Sequence, residues 1–344
     1  MSRPRSPSRP TLRPTRRAIP PRAPRGAALL TALLIVVLVT TLSAAMLWRQ
    51  ARSIQIEAAD RGRAQADWVL QGALDWARLI LREDKRNNMN ARDGKPASDD
   101  LTEVWSVPLA EARLSSFLSQ DENNSADAGP DAFLSGHIED AQSRFNLRNL
   151  VDNKPEEVRA AAQLFQAAGL STNLVEQLRL SMNYAAVPAS APSGEVPLLP
   201  TRLAQLRWLG LNEEQIRRLS TLVVILPKRT PVNVNTAPRE VLAAVLFTDT
   251  GSADRIVRQR QVKPFRSFED LKPFVPQEPA LSAERTAFTS DFFFVEGQLR
   301  MDDRVLAQRS LVERRNLEMV VLDRERLQRL STLPGTAAGY GATP

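Results

Sequence analysis

The sequence predicts an α+β protein: a long N-terminal helix, transmembrane and then amphipathic, packs on an antiparallel sheet. A large all-helical domain is inserted between the strands. Three observations carry this. Ala27–Leu47 runs 21 residues without a charge, and about 20 apolar residues at ~1.5 Å each cross a ~30 Å hydrocarbon core. A helix there satisfies its own backbone. Residues 151–287 carry helical spacing, caps and glycine stops, and from Phe288 the period changes to the alternation of a sheet with one wet face.

Composition narrows the function. Of 344 residues, 43% are hydrophobic and 25% charged, the balance of a globular protein with a sizeable core. The net charge of +7 belongs to residues 1–25, which hold eight Arg and no acid. Setting those eight aside from the 46 basic residues leaves 38 against 39 acidic ones. The folded body therefore lacks the basic excess that nucleic-acid binding requires. Cysteine is absent, which excludes disulfides, a zinc ribbon and a thiol nucleophile. His137 is the only histidine, which argues against a histidine metal cluster and a Ser-His-Asp triad. No enzyme is expected.

Taken in order, residues 1–26 form a basic, proline-rich leader. Its arginines hold this end in the cytoplasm and send the C-terminal part outward. The transmembrane helix occupies 27–48 and continues through 49–86. There Ile54, Ala58, Ala66, Val69, Leu70, Ala73, Trp76, Ala77, Ile80 and Leu81 recur at three- and four-residue steps, one apolar face of a helix. The whole helix, from about Ala27 to about Arg86, would be about 90 Å long.

Residues 87–150 begin a mixed domain. Asn87–Asp100 reads as a polar loop, Val104–Ser106 as a short strand and Leu109–Leu118 as a helix. Asp121–Asp131 is an acidic loop in which Asp121, Asn123 and Ser125 brush the calcium-loop spacing. Ala132 stands where a bidentate Glu is needed, so a solvated loop is expected. His137–Leu150 (HIEDAQSRFNLRNL) holds a strand around Ile138. Ile138 and Phe145 should face a core, Asp140 should pair with Arg144, and Asn146 and Asn149 should satisfy turn backbone.

Within 151–287, Asp152-Asn153 before Pro155 opens a helix that stops at Gly169. Thr201–Leu209 is a second, stopping at Gly210. Each is followed by a matching capped helix, with the proline-rich stretch Val187–Pro200 between them. Pro231–Pro238 (PVNVNTAP) opens a third helix with Val241, Leu242, Val245 and Leu246 on one face. Asn235 or Thr236 should cap it, with Pro238 in the first turn. Ser252 should cap the next, and Ser267 with Asp270 forms a capping box. Residues 288–330 return as strands: Phe292–Arg300 and Val305–Arg314 about the turn Met301–Arg304, then Asn316–Leu322. Residues 331–344 form a flexible tail.

The junction Arg25-Gly26-Ala27 is informative. A secretory signal places its small residue after the apolar run; here it comes before. Cleavage at Gly26 would leave the hydrophobic helix on the mature chain, an arrangement similar to the leader of type IV pilins and type II secretion pseudopilins. The I-x-D…R-x-N-L segment (Ile138, Asp140, Arg144, Asn146, Leu147) and V-N-V-N-T-A (Val232–Ala237) resemble the K-type minor pseudopilins, the general secretion pathway protein K family, with Arg148 departing from the usual Asn. The resemblance implies a pilin-like sheet with an inserted SAM/helix-hairpin-helix-like domain. It implies cleavage between Gly26 and Ala27 by a prepilin peptidase and N-methylation of Ala27, in the bacterial inner membrane. Such subunits usually carry Glu at the fifth mature position; Thr31 stands there, as in a subunit with none above it. A place at the tip of the periplasmic pseudopilus is thereby implied, in assembly initiation and export of folded proteins. The implied partners are the I, J and H types, the major pseudopilin and the inner-membrane assembly platform. The family's calcium is linked to a D-W-[IL]-D segment that is missing here, so no cofactor is certain and calcium is the one candidate.

An alternative class is a membrane-anchored DNA receptor of the competence type, since V-N-V-N-T-A also resembles the opening of helix-hairpin-helix modules. Those need a Gly-x-Gly turn that offers amides to phosphate. Phe247–Ser252 has one Gly and an Asp in the way, so no nucleic acid is expected.

Overall fold

The computed structural model describes residues 27–90, 96–114, 132–186, 198–275, 281–301 and 304–327. Gly26 with its leader, the loop Asp121–Asp131, most of the Val187–Pro200 stretch, the turn pair Asp302-Asp303 and the tail lie outside them. The described residues fall into two compact units, one ending at Ala64 and one beginning at Gln65.

Helix α1 (Ala27–Asn90) runs four residues past the expected end. It holds no proline, and Ala, Leu, Arg and Gln dominate it, all strong helix formers. In the first unit its apolar side chains are exposed, Leu33 and Leu38 among them. It is the one helix among the described residues long and apolar enough to cross a membrane.

In the second unit the chain continues through a 3-10 turn at Val104–Ser106 and strand β1 (Leu109–Arg113) to β2 (Ala132–Asp140). Two-residue strands β3 (Phe145–Asn146), β4 (Val223–Val224), β5 (Val232–Asn233) and β6 (Thr286–Ala287) punctuate the helical region. Its helices are α2 (Pro155–Ala167), α3 (Asn173–Ala186), α4 (Glu213–Leu219), α5 (Arg239–Val245), α6 (Thr250–Val262) and α7 (Phe268–Leu271). Strands β7 (Phe292–Met301), β8 (Arg304–Arg315) and β9 (Glu318–Leu327) complete a five-stranded antiparallel sheet of order β1-β2-β7-β8-β9. Strands β3 with β4 and β5 with β6 pair in parallel.

The two-residue period of β7 explains both faces of the sheet. Phe293, Val295 and Leu299 meet Ala66, Leu70, Leu74, Ala77 and Leu81 of α1, with Trp105 closing one end. Phe292 and Leu311 point the other way, onto Val224 and Leu226. The helices bury a separate core that includes Phe145, Leu147, Leu164, Leu178, Val241 and Ile256. A glycine pair lets α1 and the strands approach. Gly136 faces Gly297 across β2 and β7. A Cβ at Gly136 would lie 2.6 Å from the Glu296 carbonyl, and one at Gly297 3.3 Å from Leu70.

Several local expectations are corrected. Leu109–Arg113 is an edge strand paired with β2, not a helix; tertiary pairing overrides the helix preference of Leu-Ala-Glu-Ala-Arg. Val104–Ser106 is a 3-10 turn that buries Trp105, not a strand. Leu203–Leu209 is 3-10 rather than α, though Gly169 (φ 70°) and Gly210 (φ 94°) both stop their helices left-handed as expected. Asp249, not Ser252, caps α6, since Asp249 lies three residues before the amide it accepts. The last strand begins at Glu318, after Asn316 turns at φ 55°.

Candidate functional site

The two motifs that stood out in the sequence meet in the fold. Strand β2 ends at Asp140, which is fully buried. Its Oδ1 accepts the Gln142 amide at 2.7 Å. Its Oδ2 accepts the Thr236 hydroxyl at 2.5 Å, the Ser290 hydroxyl at 2.6 Å and the Asn233 amide at 2.9 Å. Burial pushes this carboxyl up to about 6, against the lowering effect of its Ser290, Thr236 and Gln142 donors. The expected Asp140–Arg144 pair does not form. Arg144 turns outward to Glu139, because Asp140 already holds four donors in a dry site.

The remaining motif residues join chain segments. Asn146 Oδ1 accepts the Arg148 and Leu226 amides, and its Nδ2 donates to the Lys228 carbonyl at 2.8 Å. Asn149 exchanges two hydrogen bonds with the Thr230 backbone, and Asn235 two with the Phe265 backbone. Arg148, in place of the motif's usual Asn, donates to the Leu226 and Pro200 carbonyls. Arg260 donates to the Val234 and Ala237 carbonyls at 2.8 and 2.6 Å, and burial lowers its pKa to about 10. Neither Asn235 nor Thr236 caps α5; Pro238 takes the cap position and both side chains are spent inside. Buried polar groups must find partners, and these find one another or backbone carbonyls and amides, with Nη1 of Arg148 the exception. The motifs form a seam between chain segments.

The exposed feature is a groove beside α1. Ala73, Trp76 and Ile80 face Val104, Val107 and Leu109 across a cavity of about 350 Å³. Trp76 is 66% and Val104 77% exposed. Trp68 and Leu79, also exposed, extend the stripe along the same helix. Trp76 was expected in the buried face, but Leu74 occupies that place. A helix this apolar on two sides gives a spacing argument no means of choosing. Contiguous exposed apolar surface of this kind marks an interaction site.

Of the remaining predicted residues, Gly26 lies outside the described residues, Ala27 begins α1, and the Thr31 hydroxyl donates to the Ala28 carbonyl at 3.0 Å. His137 is exposed on β2 opposite Glu296. Asp121, Asn123 and Ser125 lie outside the described residues. Among those described, one carboxylate group could hold a metal: Asp84, Asp99 and Glu103. At the turn expected to replace the phosphate grip, the Asp249 carboxylate accepts the Ser252 amide at 2.9 Å.

Comparison with known proteins places this geometry. The model of the family described as type II secretion system (T2SS), protein K matches residues 232–291, which span V-N-V-N-T-A through Asp291. The type II secretion system protein K of Pseudomonas aeruginosa is 28% identical over 304 residues, 82% of this chain and 86% of that protein. That of Pectobacterium carotovorum subsp. carotovorum is 26% identical over 338 residues, 88% of this chain and 96% of that protein. A chain in the crystal structure of the GspK-GspI-GspJ complex from the type 2 secretion system of enterotoxigenic Escherichia coli shares the fold. Its TM-score is 0.58 at 17% identity, over 79% of this chain and 99% of that one.

An apolar N-terminal helix, an antiparallel sheet and a polar seam to a helical head make up a fold shared with a chain of the GspK-GspI-GspJ complex. More narrowly, the chain resembles the type II secretion system protein K family, in its sequence over most of its length and in the family's model over residues 232–291.

Proposed function

We propose that this chain is a structural, non-enzymatic subunit at the tip of a periplasmic pseudopilus. It acts in assembly initiation and in export of folded proteins across the outer membrane. In this reading, prepilin peptidase cleaves between Gly26 and Ala27 and Ala27 is N-methylated. The helix then anchors the subunit in the inner membrane, N-terminus cytoplasmic and C-terminal part periplasmic. Thr31 supplies no carboxylate to a neighbour's amine, which suits a subunit with none above it. The helical region 151–287 would bar further stacking.

The observation that carries this reading is the exposed stripe Trp68–Trp76–Leu79 with its flanking groove. A lone subunit leaves that surface wet, and a second amphipathic helix would cover it. The relative of known structure was crystallised with GspI and GspJ, so the I and J types are the partners proposed for the groove. The H type, the major pseudopilin and the assembly platform come after them. The test is a photo-crosslinker at position 76 in the full chain, expressed with its cognate I- and J-type proteins. Crosslinks to either are expected; their absence, with crosslinks only to lipid, would refute the assignment. Mass spectrometry of the mature N-terminus reads the processing step: methylated Ala27 is expected, and an intact Met1 would refute it.

A further inference from the structure

Near its end, α1 brings Asp84 against Asp99 and Glu103 of the segment that follows. One carboxylate oxygen of each lies within 4.8 Å of the others. The Asp99 side chain is 1% exposed and that of Asp84 13%. Among the described residues the cation in contact is Arg314 of β8, which reaches Asp84 at 3.0 Å and also Asp99. Three carboxylates against one guanidinium leave an excess of two negative charges in a pocket that buries Asp99 fully and Asp84 and Glu103 in part. Uncompensated buried charge costs several kcal/mol per ion, so the group calls for protons or a cation.

A second observation points to a ligand rather than to a mere acidic cluster. Oδ1 of Asp99 is buried and accepts no hydrogen bond. The other oxygen, Oδ2, is held by the Ser290 amide at 2.6 Å and by Arg314, so the carboxylate is fixed in place with one oxygen unused. Glu103 is fixed likewise, by the Trp105 indole N–H at 2.7 Å and the Asp100 amide at 3.1 Å. Rigid all-oxygen donors with a residual charge of two select a hard divalent cation over a soft one.

We propose that Asp84, Asp99 and Glu103 form a site for a divalent, oxygen-preferring cation of the calcium class, which ties the end of α1 to the segment 98–106. Arg314 extends that tie to the sheet. In the sequence the three residues lie apart from the Val187–Pro200 stretch, the neighbourhood in which the family resemblance would put calcium. With three protein carboxylates, binding belongs in the ~10⁻⁴–10⁻³ M range of extracellular modules.

Trp105 supplies the readout, since its indole touches Glu103. The full chain in detergent micelles is titrated with Tb³⁺ under tryptophan excitation, and calcium binding is followed separately by calorimetry. The expected result is sensitised emission that Ca²⁺ displaces, together with saturable calcium binding in the calorimeter. Glu103→Gln should weaken calcium binding at least about tenfold. Asp84→Asn, at the more exposed rim, does the same where Glu103→Gln impairs folding. Equal calcium affinity in wild type and a folded variant, sensitised emission that Ca²⁺ does not displace, or no binding up to about 10 mM would each overturn the site.

Discussion

The burial of Asp140 should make this fold gain stability, through this one group, as the solution is acidified. A carboxyl at about 6 in the folded chain against 3.8 unfolded binds its proton more tightly when folded. Its stabilising contribution is complete below the unfolded value and is lost as the pH rises through about 6. The full span, about 2 pH units, corresponds to about 3 kcal/mol. Between about pH 7.5 and about pH 5 roughly half of it, about 1.5 kcal/mol, is recovered. Other carboxylates work against this. Glu313, held down by Arg315 and Lys228 despite its burial, loses stability on acidification, so the raw curve mixes both signs. Asp140→Asn isolates the group. It keeps a carbonyl for the Gln142 amide and mimics the protonated acid toward the Thr236 and Ser290 hydroxyls. Urea unfolding of the full chain in a non-ionic detergent, followed by tryptophan fluorescence, gives both stabilities at each pH. The difference, wild type minus Asp140→Asn, should rise by about 1.5 kcal/mol on going from neutral to acid. A difference that stays flat, or that falls, would mean that the four donors hold the carboxylate charged and that burial does not dominate.

Other substitutions test the remaining packing. Gly136→Ala drives a methyl to 2.6 Å from the Glu296 carbonyl and should cost about 1–3 kcal/mol in the same urea assay. Leu81→Ala empties a fully buried position between α1 and the sheet and should cost about 2–5 kcal/mol. Asn146→Ala orphans the Leu226 and Arg148 amides and the Lys228 carbonyl; a loss of about 2–4 kcal/mol is expected. Trp76→Ala, at an exposed position, should leave stability within about 0.5 kcal/mol. In pull-downs it should weaken capture of the proposed I- and J-type partners at least about tenfold.

What was legible in the sequence followed from local chemistry. The charge-free run, the two left-handed glycines at Gly169 and Gly210, and the alternation of Phe292–Arg300 each need only neighbouring residues to be read, and each is found. The errors lie where a distant segment decides. Leu109–Arg113 is a strand because β2 lies beside it. Asp140 ignores Arg144 because Asn233, Thr236 and Ser290, at least 90 residues away, reach it first. The sequence pointed to both motifs but not to their meeting, since hydrogen-bonding side chains carry no period. Nor did it mark Asp84, Asp99 and Glu103 as a group. Asp99 and Asp100 read as the end of a polar loop, and Asp84 as one charge among many on an exposed helix face.

The motif junction and the carboxylate group are one structure, and this bears on how the head is held. Asp99 belongs to both: its carbonyl accepts the Asn233 amide at 3.0 Å, its Oδ2 accepts the Ser290 amide, and Arg314 donates both to Asp99 and to the Ser290 carbonyl. The apolar contacts of helix with sheet and of sheet with head fall in separate clusters, and hydrophobic burial holds each pair of layers together without fixing their register. A slipped apolar contact costs little, because one aliphatic side chain replaces another, whereas a slipped buried hydrogen bond leaves a charged or polar atom unpaired at about 1–3 kcal/mol each. The seam running from Asp84 through Asp99 and Ser290 to Asp140 and Asn233 therefore sets the register between helix, sheet and head. That makes the Asn and Asp positions of the two motifs as demanding as a catalytic constellation, for reasons of geometry alone.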